Sequence, residues 1–312
     1  MREFVRGAPW WTEDGRVVRA DPADRARLPG DTWERAGLPA GVRLEFTART
    51  VSAVEVAYTA APPAEADSGR AAPAVFTLLA GEEAVDTPAS PGEHRVLIPL
   101  PSPDGAFTLH LPETLRPVVH GVRPVGGTLT PAARQPRWLV YGDSIAEGWS
   151  VSRPHRAWPA LAGRALGVET VNLGYAGAAR GEQASAQHLA SLDADVITLA
   201  FGTNCWSRTP HSARLLYETA RVFLDLVRRG HPDTPLLVVS PVLRPDAEAV
   251  PNVLGASLRD LRTALERAAL DAGVGLLPGG GLLDAEHLVD GVHPGDEGHA
   301  LLARAVAAAL AP

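Results

Sequence analysis

Five apolar runs of strand length recur between helical patterns through the second half of this chain, and few folds are open to a chain so patterned. WLVYG (138–142), ETVNLG (169–174), DVITLAFG (195–202), PLLVVSPV (235–242) and VGLLPG (274–279) are too uniformly apolar to leave one face in water. Between and after them lie RAWPALAGRALG (156–167), EQASAQHLASL (182–192), SARLLYETARVFLDLVRRG (212–230), LGASLRDLRTALERAALDAG (254–273) and GDEGHALLARAVAAAL (295–310), which read as helices. Strand alternating with helix predicts a parallel sheet covered on both faces. In such a sheet the ligand site lies beyond the carboxyl ends of the strands, which says where the chemistry belongs.

The first half has a different rhythm. From about residue 16 to 125, GVRLEFTART, SAVEVAYTA, AVFTLLA, HRVLIPL, GAFTLHL and RPVVHGV are short segments separated by Pro, Gly and Asp. That spacing predicts an antiparallel β-sandwich. APPAEADSGRAAPA (61–74) reads as a loop between strands, and VGGTLTPAARQP (125–136) has the Gly/Pro-rich composition of a linker. The expected division is a sandwich over 1–127, a linker over 128–136 and an α/β domain over 137–312. At 312 residues, 46% of them hydrophobic and 21% charged, the chain has material for two cores.

Charge and cysteine content narrow the function. A formal charge of −7 argues against nucleic-acid binding, which needs a basic surface to release counterions. A single cysteine, Cys205, excludes an internal disulfide framework and agrees with a reducing compartment. No stretch approaches the roughly 18 consecutive apolar residues of a membrane span. The opening MREFVRGAPWWTEDGR has early charge and no apolar h-region, so no secretory signal and a cytoplasmic location are expected. The sequence leaves the oligomeric state open.

Polar residues gather where the apolar runs end. Gly142-Asp143-Ser144 follows the first, Asn172-Leu173-Gly174 closes the second, Gly202-Thr203-Asn204 follows the third, and Asp290-Gly291-Val292-His293-Pro294 precedes the last helix. Ser144 alone reads as a helix cap, since Ser and Asp accept from the free N–H groups of a first helical turn. With a His and an Asp at the same sheet edge, acyl transfer becomes available: a hydroxyl nucleophile, a base for its proton, and a carboxylate to orient the imidazole. The Asn204 amide and the backbone N–H groups of Gly174 and Ser144 would hold the developing oxyanion.

These blocks, Gly142-Asp143-Ser144-Ile145, Asn172-Leu173-Gly174-Tyr175-Ala176-Gly177, Gly202-Thr203-Asn204 and Asp290-Gly291-Val292-His293, resemble in order those of the SGNH (GDSL) hydrolase superfamily over residues 138–312. Ile145 stands where the usual motif has Leu. The resemblance implies a flavodoxin-like, three-layer, doubly wound parallel sheet. It also implies Ser144 as nucleophile, His293 as base, Asp290 as its partner, and Gly174 with Asn204 as oxyanion donors. The preceding sandwich is similar to that of two-domain members, among them carbohydrate deacetylases and acyltransferases of natural-product tailoring. The expected activity is a serine esterase acting on a small-molecule ester, without cofactor. An acyltransferase, or a carbohydrate-binding or interaction protein with a vestigial hydrolase domain, are the alternatives.

Neighbouring residues receive plainer readings. Asp143 is expected to hydrogen-bond in the turn, Asn172 to shape its turn, and Cys205 to be a small buried residue. Trp149, Trp158 and Trp206 lie near the motifs. Core packing explains any of them singly, while Trp149 and Trp206, with Arg180, are candidates for the substrate pocket. Arg180 and Glu182 also suit a mutual ion pair. His287, His293 and His299 recur every six residues, which does not align them on a helix face, so no metal site is expected and His299 is read as packing at the start of the last helix.

Overall fold

The computed structural model describes residues 1–311, and the first forty of these serve both halves of the molecule. Strands β1 (Val5–Arg6), β2 (Trp10–Trp11) and β3 (Val17–Val18) precede helix α1 (Gly30–Ala36). β1 pairs antiparallel with the sheet of the N-terminal half. Ala20, Leu28 and Ala36, in contrast, pack into the core of the C-terminal half.

The antiparallel region continues with β4 (Arg43–Ala60), β5 (Val75–Ala80), β6 (Glu83–Pro88), β7 (Gly92–Pro99), β8 (Gly105–His110) and β9 (Val118–Pro131). β4 is its spine. β9 runs along one edge, while β8 pairs with Arg43–Ala48 and β7 with Ala53–Ala60 on the other. Leu44, Phe46, Val54, Val56 and Tyr58 of β4 are all buried, which is the alternation of a half-buried strand. The Tyr58 ring meets Phe76 of β5 edge-on at 5.1 Å, so the two ends of the sheet share one core.

Two sequence breaks are strand irregularities rather than ends. GVRLEFTART and SAVEVAYTA run as one strand, with a register shift between Val51 and Ala53 and Thr50 at φ 57°. Opposite it, Gly126 and Gly127 take φ of 82° and 34°, and a Cβ on Gly127 would collide with the Arg49 and Thr50 backbone. These glycines serve a bulge. β9 therefore passes through the expected linker as far as Pro131, and residues 132–136 make the connection.

The C-terminal half comprises β10 (Arg137–Gly142), α2 (Ser144–Glu147), α3 (Trp158–Leu166), β11 (Glu169–Gly174), α4 (Gln183–Ser191), β12 (Val196–Ala200), α5 (Ala213–Gly230), β13 (Leu236–Val239), α6 (Leu258–Asp271), β14 (Gly275–Leu277) and α7 (Asp296–Leu310). The five strands are parallel in the order β11-β10-β12-β13-β14, the flavodoxin-like arrangement. Successive side chains of β10 point to opposite faces: Leu139 and Tyr141 enter the core under α4, α5 and α6, and Trp138 and Val140 the core under α3 and α7. The result is three layers. Strand order reverses at β10, so the crevice opens beyond its end. No helix among the described residues is long and apolar enough to cross a membrane.

Gly163 is where α3 comes nearest β11, since a Cβ there would collide with Thr170 Oγ1, itself bonded to the Pro159 carbonyl. Alanine is the better helix former by about 1 kcal/mol. Overpacking wins in a site this close, so Gly163→Ala is expected to cost about 1 to 3 kcal/mol in urea unfolding; a stabilised variant would contradict the packing.

Candidate active site

The carboxyl end of β10 is built to start a helix at once. A Cβ on Gly142 would overlap Ala146 and the Ala200 carbonyl, so only glycine lets α2 begin directly over the strand end. Asp143 is the cap, its carboxylate accepting from the Ile145 N–H at 3.0 Å. Burial pushes the Asp143 carboxyl up to about 6 against the pull of its backbone donors. Ser144 is thereby relieved of capping and stands as the first helical residue, with its own N–H among those a helix start leaves free.

His293 reaches Ser144 from the loop before α7. Its Nε2 lies 2.8 Å from Ser144 Oγ, and its Nδ1 lies 2.8 Å from Asp290 Oδ2. With Asp290 accepting from Nδ1–H, Nε2 is left to accept the serine proton. The other Asp290 oxygen accepts from the Val292 and His293 N–H groups at 3.0 and 2.8 Å, which fixes the carboxylate. Burial works to raise the Asp290 pKa, but the His293 ring and these N–H groups outweigh it and hold the carboxyl below its ordinary range.

Ser144 and His293 open into a cleft of about 590 Å³ whose walls include Ala176, Gly177, Thr203 and Asn204. The assignment of Gly174 as oxyanion donor does not survive here. Its N–H is already given to Asn172 Oδ1 at 2.8 Å, and it packs beneath α2, where a Cβ would strike the Ala146 and Glu147 backbone. Gly177, three residues on, does line the cleft, and its N–H has no partner among the described residues. Asn172 shapes the turn, donating to the Ala146 carbonyl at 2.8 Å. The Asn204 amide sits in the wall, bonded to the Ala179 carbonyl at 3.3 Å.

The other sequence candidates divide. Trp149 lines the cleft with its ring 5.8 Å from that of His293. Arg180 lines it too, but is paired with Asp31 at 2.8 Å and Glu182 at 3.0 Å. Trp206 is not in the wall: its indole N–H donates to the Val250 carbonyl, and its ring supports Arg244, which is. Trp158 is buried under α7, and Cys205 is buried, which pushes its thiol pKa up. His299 is buried at α7 with Nδ1 accepting from the Trp158 N–H, and burial drives its pKa down to about 3. His287 Nδ1 accepts from the Asp284 N–H.

Sequence reasoning missed Glu147. It is fully buried, and its carboxylate receives Arg19 at 3.2 Å, Arg70 at 2.8 Å, Arg35, and the Ala176 N–H at 3.1 Å. Arg35 and Arg70 are further tied to Asp67 and Glu113. All three arginines come from the N-terminal half, where nothing in their local pattern points to a partner more than seventy residues away. Burial alone would raise the Glu147 pKa, but Arg35, Arg70 and Arg19 prevail and bring it down to about 2. The N-terminal half also contributes Asp31, Glu34, Arg35 and Ala66 to the cleft wall.

Glu147→Gln leaves the arginines uncompensated and is expected to cost about 3 to 5 kcal/mol in denaturant unfolding. Because the folded pKa lies below the ordinary 4.5, the unfolded chain binds the extra proton between about pH 4.5 and 2. The contribution is present above that window and is lost as pH falls through it. The slope of stability against pH there should be shallower in Glu147→Gln than in the wild type.

Comparison with known proteins places this geometry. A family model described as GDSL-like Lipase/Acylhydrolase matches residues 140–301, just over half of the chain. Salicylyl-acyltransferase SsfX3 from a tetracycline biosynthetic pathway is similar at 26% identity and a TM-score of 0.83, over 97% of this chain and 92% of that one. A Bacteroides ovatus protein described as a GDSL-like lipase shares 21% identity at a TM-score of 0.74, over 96% and 92%. A family two carbohydrate esterase from Clostridium thermocellum shares 14% at 0.64, over 86% and 90%. Comparison with curated proteins gave no match.

Proposed function

We propose that this chain, which belongs to the GDSL-like lipase/acylhydrolase family, is a serine esterase that works through an acyl-enzyme on Ser144. The observation that carries the reading is the unbroken relay of Ser144 Oγ, His293 and Asp290 at 2.8 Å per step. His293 takes the Ser144 proton as the oxygen attacks an ester carbonyl, and Asp290 stabilises the imidazolium that forms. The tetrahedral oxyanion is received by the Ser144 and Gly177 N–H groups and the Asn204 amide. Collapse expels the alcohol, which leaves with the proton from His293. Water, deprotonated by the same histidine, then cleaves the acyl-enzyme and regenerates Ser144.

The reading extends to a small-molecule ester with a short acyl or O-acetyl group, and to two domains, the first carried to the end of β9 at Pro131 and the second over 137–312. Acyl transfer to an alcohol in place of water is the second reading. It is favoured by the likeness to a salicylyl-acyltransferase over nearly the whole chain. The two differ only in which hydroxyl resolves the acyl-enzyme, so transfer product against free acid, measured with acceptor alcohols present, separates them.

Ser144→Ala is expected to abolish release from p-nitrophenyl acetate, and Asp290→Asn to lower kcat about 10³- to 10⁴-fold by losing the correct imidazole tautomer. Asn204→Ala should cost about 10²- to 10³-fold in kcat with a smaller change in KM, as for a group that bonds chiefly in the transition state. Release that persists in Ser144→Ala would refute the nucleophile.

A further inference from the structure

Four arginines line the cleft, and their charges are not equally spent. Arg35 is neutralised by Glu147 and Asp67, and Arg180 by Asp31 and Glu182. Arg244 stacks over the Trp206 ring at 4.8 Å and is fixed by Asp246, at 2.9 Å, and by Ser207 Oγ, at 3.2 Å. Asp246 is 58% exposed, so water competes for its charge. Arg208 is exposed and has no carboxylate or carbonyl partner among the described residues. Its Nε lies 3.8 Å from the position a Cβ would take on Gly177. Arg208 therefore lies against Gly177, which lines the same cleft as Ser144.

Ser207, Arg208 and Arg244 thus share one wall. Ser207 accepts from Arg244, which leaves its own hydroxyl proton free to donate. Arg244 comes preorganised, losing little freedom on binding, and Arg208 brings an unspent charge with a fork of donors suited to carboxylate or phosphate. In a chain of net charge −7, a general attraction for anions is absent, so a wall of this kind acts locally. Asp31 and Glu34, the carboxylates of the cleft lining, come from the N-terminal half, and Asp31 is occupied by Arg180.

We propose that Ser207, Arg208 and Arg244 form an anion-receiving wall, and that the ester taken by this site carries a carboxylate or phosphate group near its scissile carbonyl. This rests on the serine-esterase reading and names its substrate class. A group held there is brought close to Gly177 and Ser144, so its binding orients the carbonyl for attack.

The test compares four esters: p-nitrophenyl acetate, which is neutral; mono-p-nitrophenyl succinate, anionic on the acyl side; and 4-acetoxybenzoate and 4-acetoxyphenyl phosphate, anionic on the alcohol side. For each, kcat/KM of the variant is divided by that of the wild type, which cancels intrinsic reactivity. Arg208→Gln should reduce this quotient for at least one anionic ester about tenfold more than for p-nitrophenyl acetate, chiefly through KM, since a charge-assisted bond is lost. Arg208→Lys should recover part of it. Arg244→Gln should act in the same direction, and raising salt from about 0.05 to about 0.5 M should narrow the difference. Arg229→Gln, on the exposed face of α5, is the net-charge control and should leave all four quotients alike. Which anionic ester responds identifies carboxylate or phosphate, and the side that bears it. Equal quotients for all four in Arg208→Gln would overturn the inference alone. Absence of Ser144-dependent turnover of every ester would overturn the esterase reading, and the inference with it.

Discussion

The buried carboxylate of Glu147 is the constraint on which the rest of this molecule hangs. It stands three residues after Ser144, on the same short helix, and binds Arg19, Arg35 and Arg70 together with the Ala176 N–H. One side chain therefore fixes the helix that carries the serine, the loop that carries Gly177, and the attachment of the N-terminal half. A helix of four residues has little stability of its own. Its position is imposed by the strand beneath and the arginines around it, and without counter-charges so deep a carboxylate would take up a proton.

The N-terminal half is consequently part of what shapes the cleft. Asp67 and Glu113 neutralise the arginines that neutralise Glu147. Gly69, in the same loop as Asp67, comes so close to Trp149 that an added Cβ would lie 3.0 Å from its ring. Trp149 in turn lies beside His293. A wall of the cleft is thus borrowed from the N-terminal half, through Asp31, Glu34 and Arg35 of α1 and Ala66 beyond β4.

Legibility followed the range of the interactions. Each parallel strand and each long helix was readable because burial on two faces, or on one helical face, writes a local period into the chain. Ser144, His293, Asp290 and Asn204 were readable because the topology obliges strand ends to meet. Gly174 was misread as a donor because a backbone N–H has no sequence signature. Only the fold decides that Asn172 takes that proton and that Gly177 keeps its own free. Trp206 was misread for a related reason: an aromatic residue beside a motif can face the cleft or brace a residue that does. The glycines of β9 misled because bulges and linkers draw on the same residues.

The sequence by itself determined the doubly wound parallel sheet, the antiparallel region before it, and the placing of a serine, an asparagine, an aspartate and a histidine at one sheet edge, because periodicity and strand-end composition are local properties. Only the tertiary structure decided that three distant arginines meet Glu147, and that Asp31 reaches Arg180 while Arg208 is left without a carboxylate among the described residues. Those are outcomes of charge balance among residues far apart in the chain, and electrostatic partners carry no mark of one another until folding excludes the water between them.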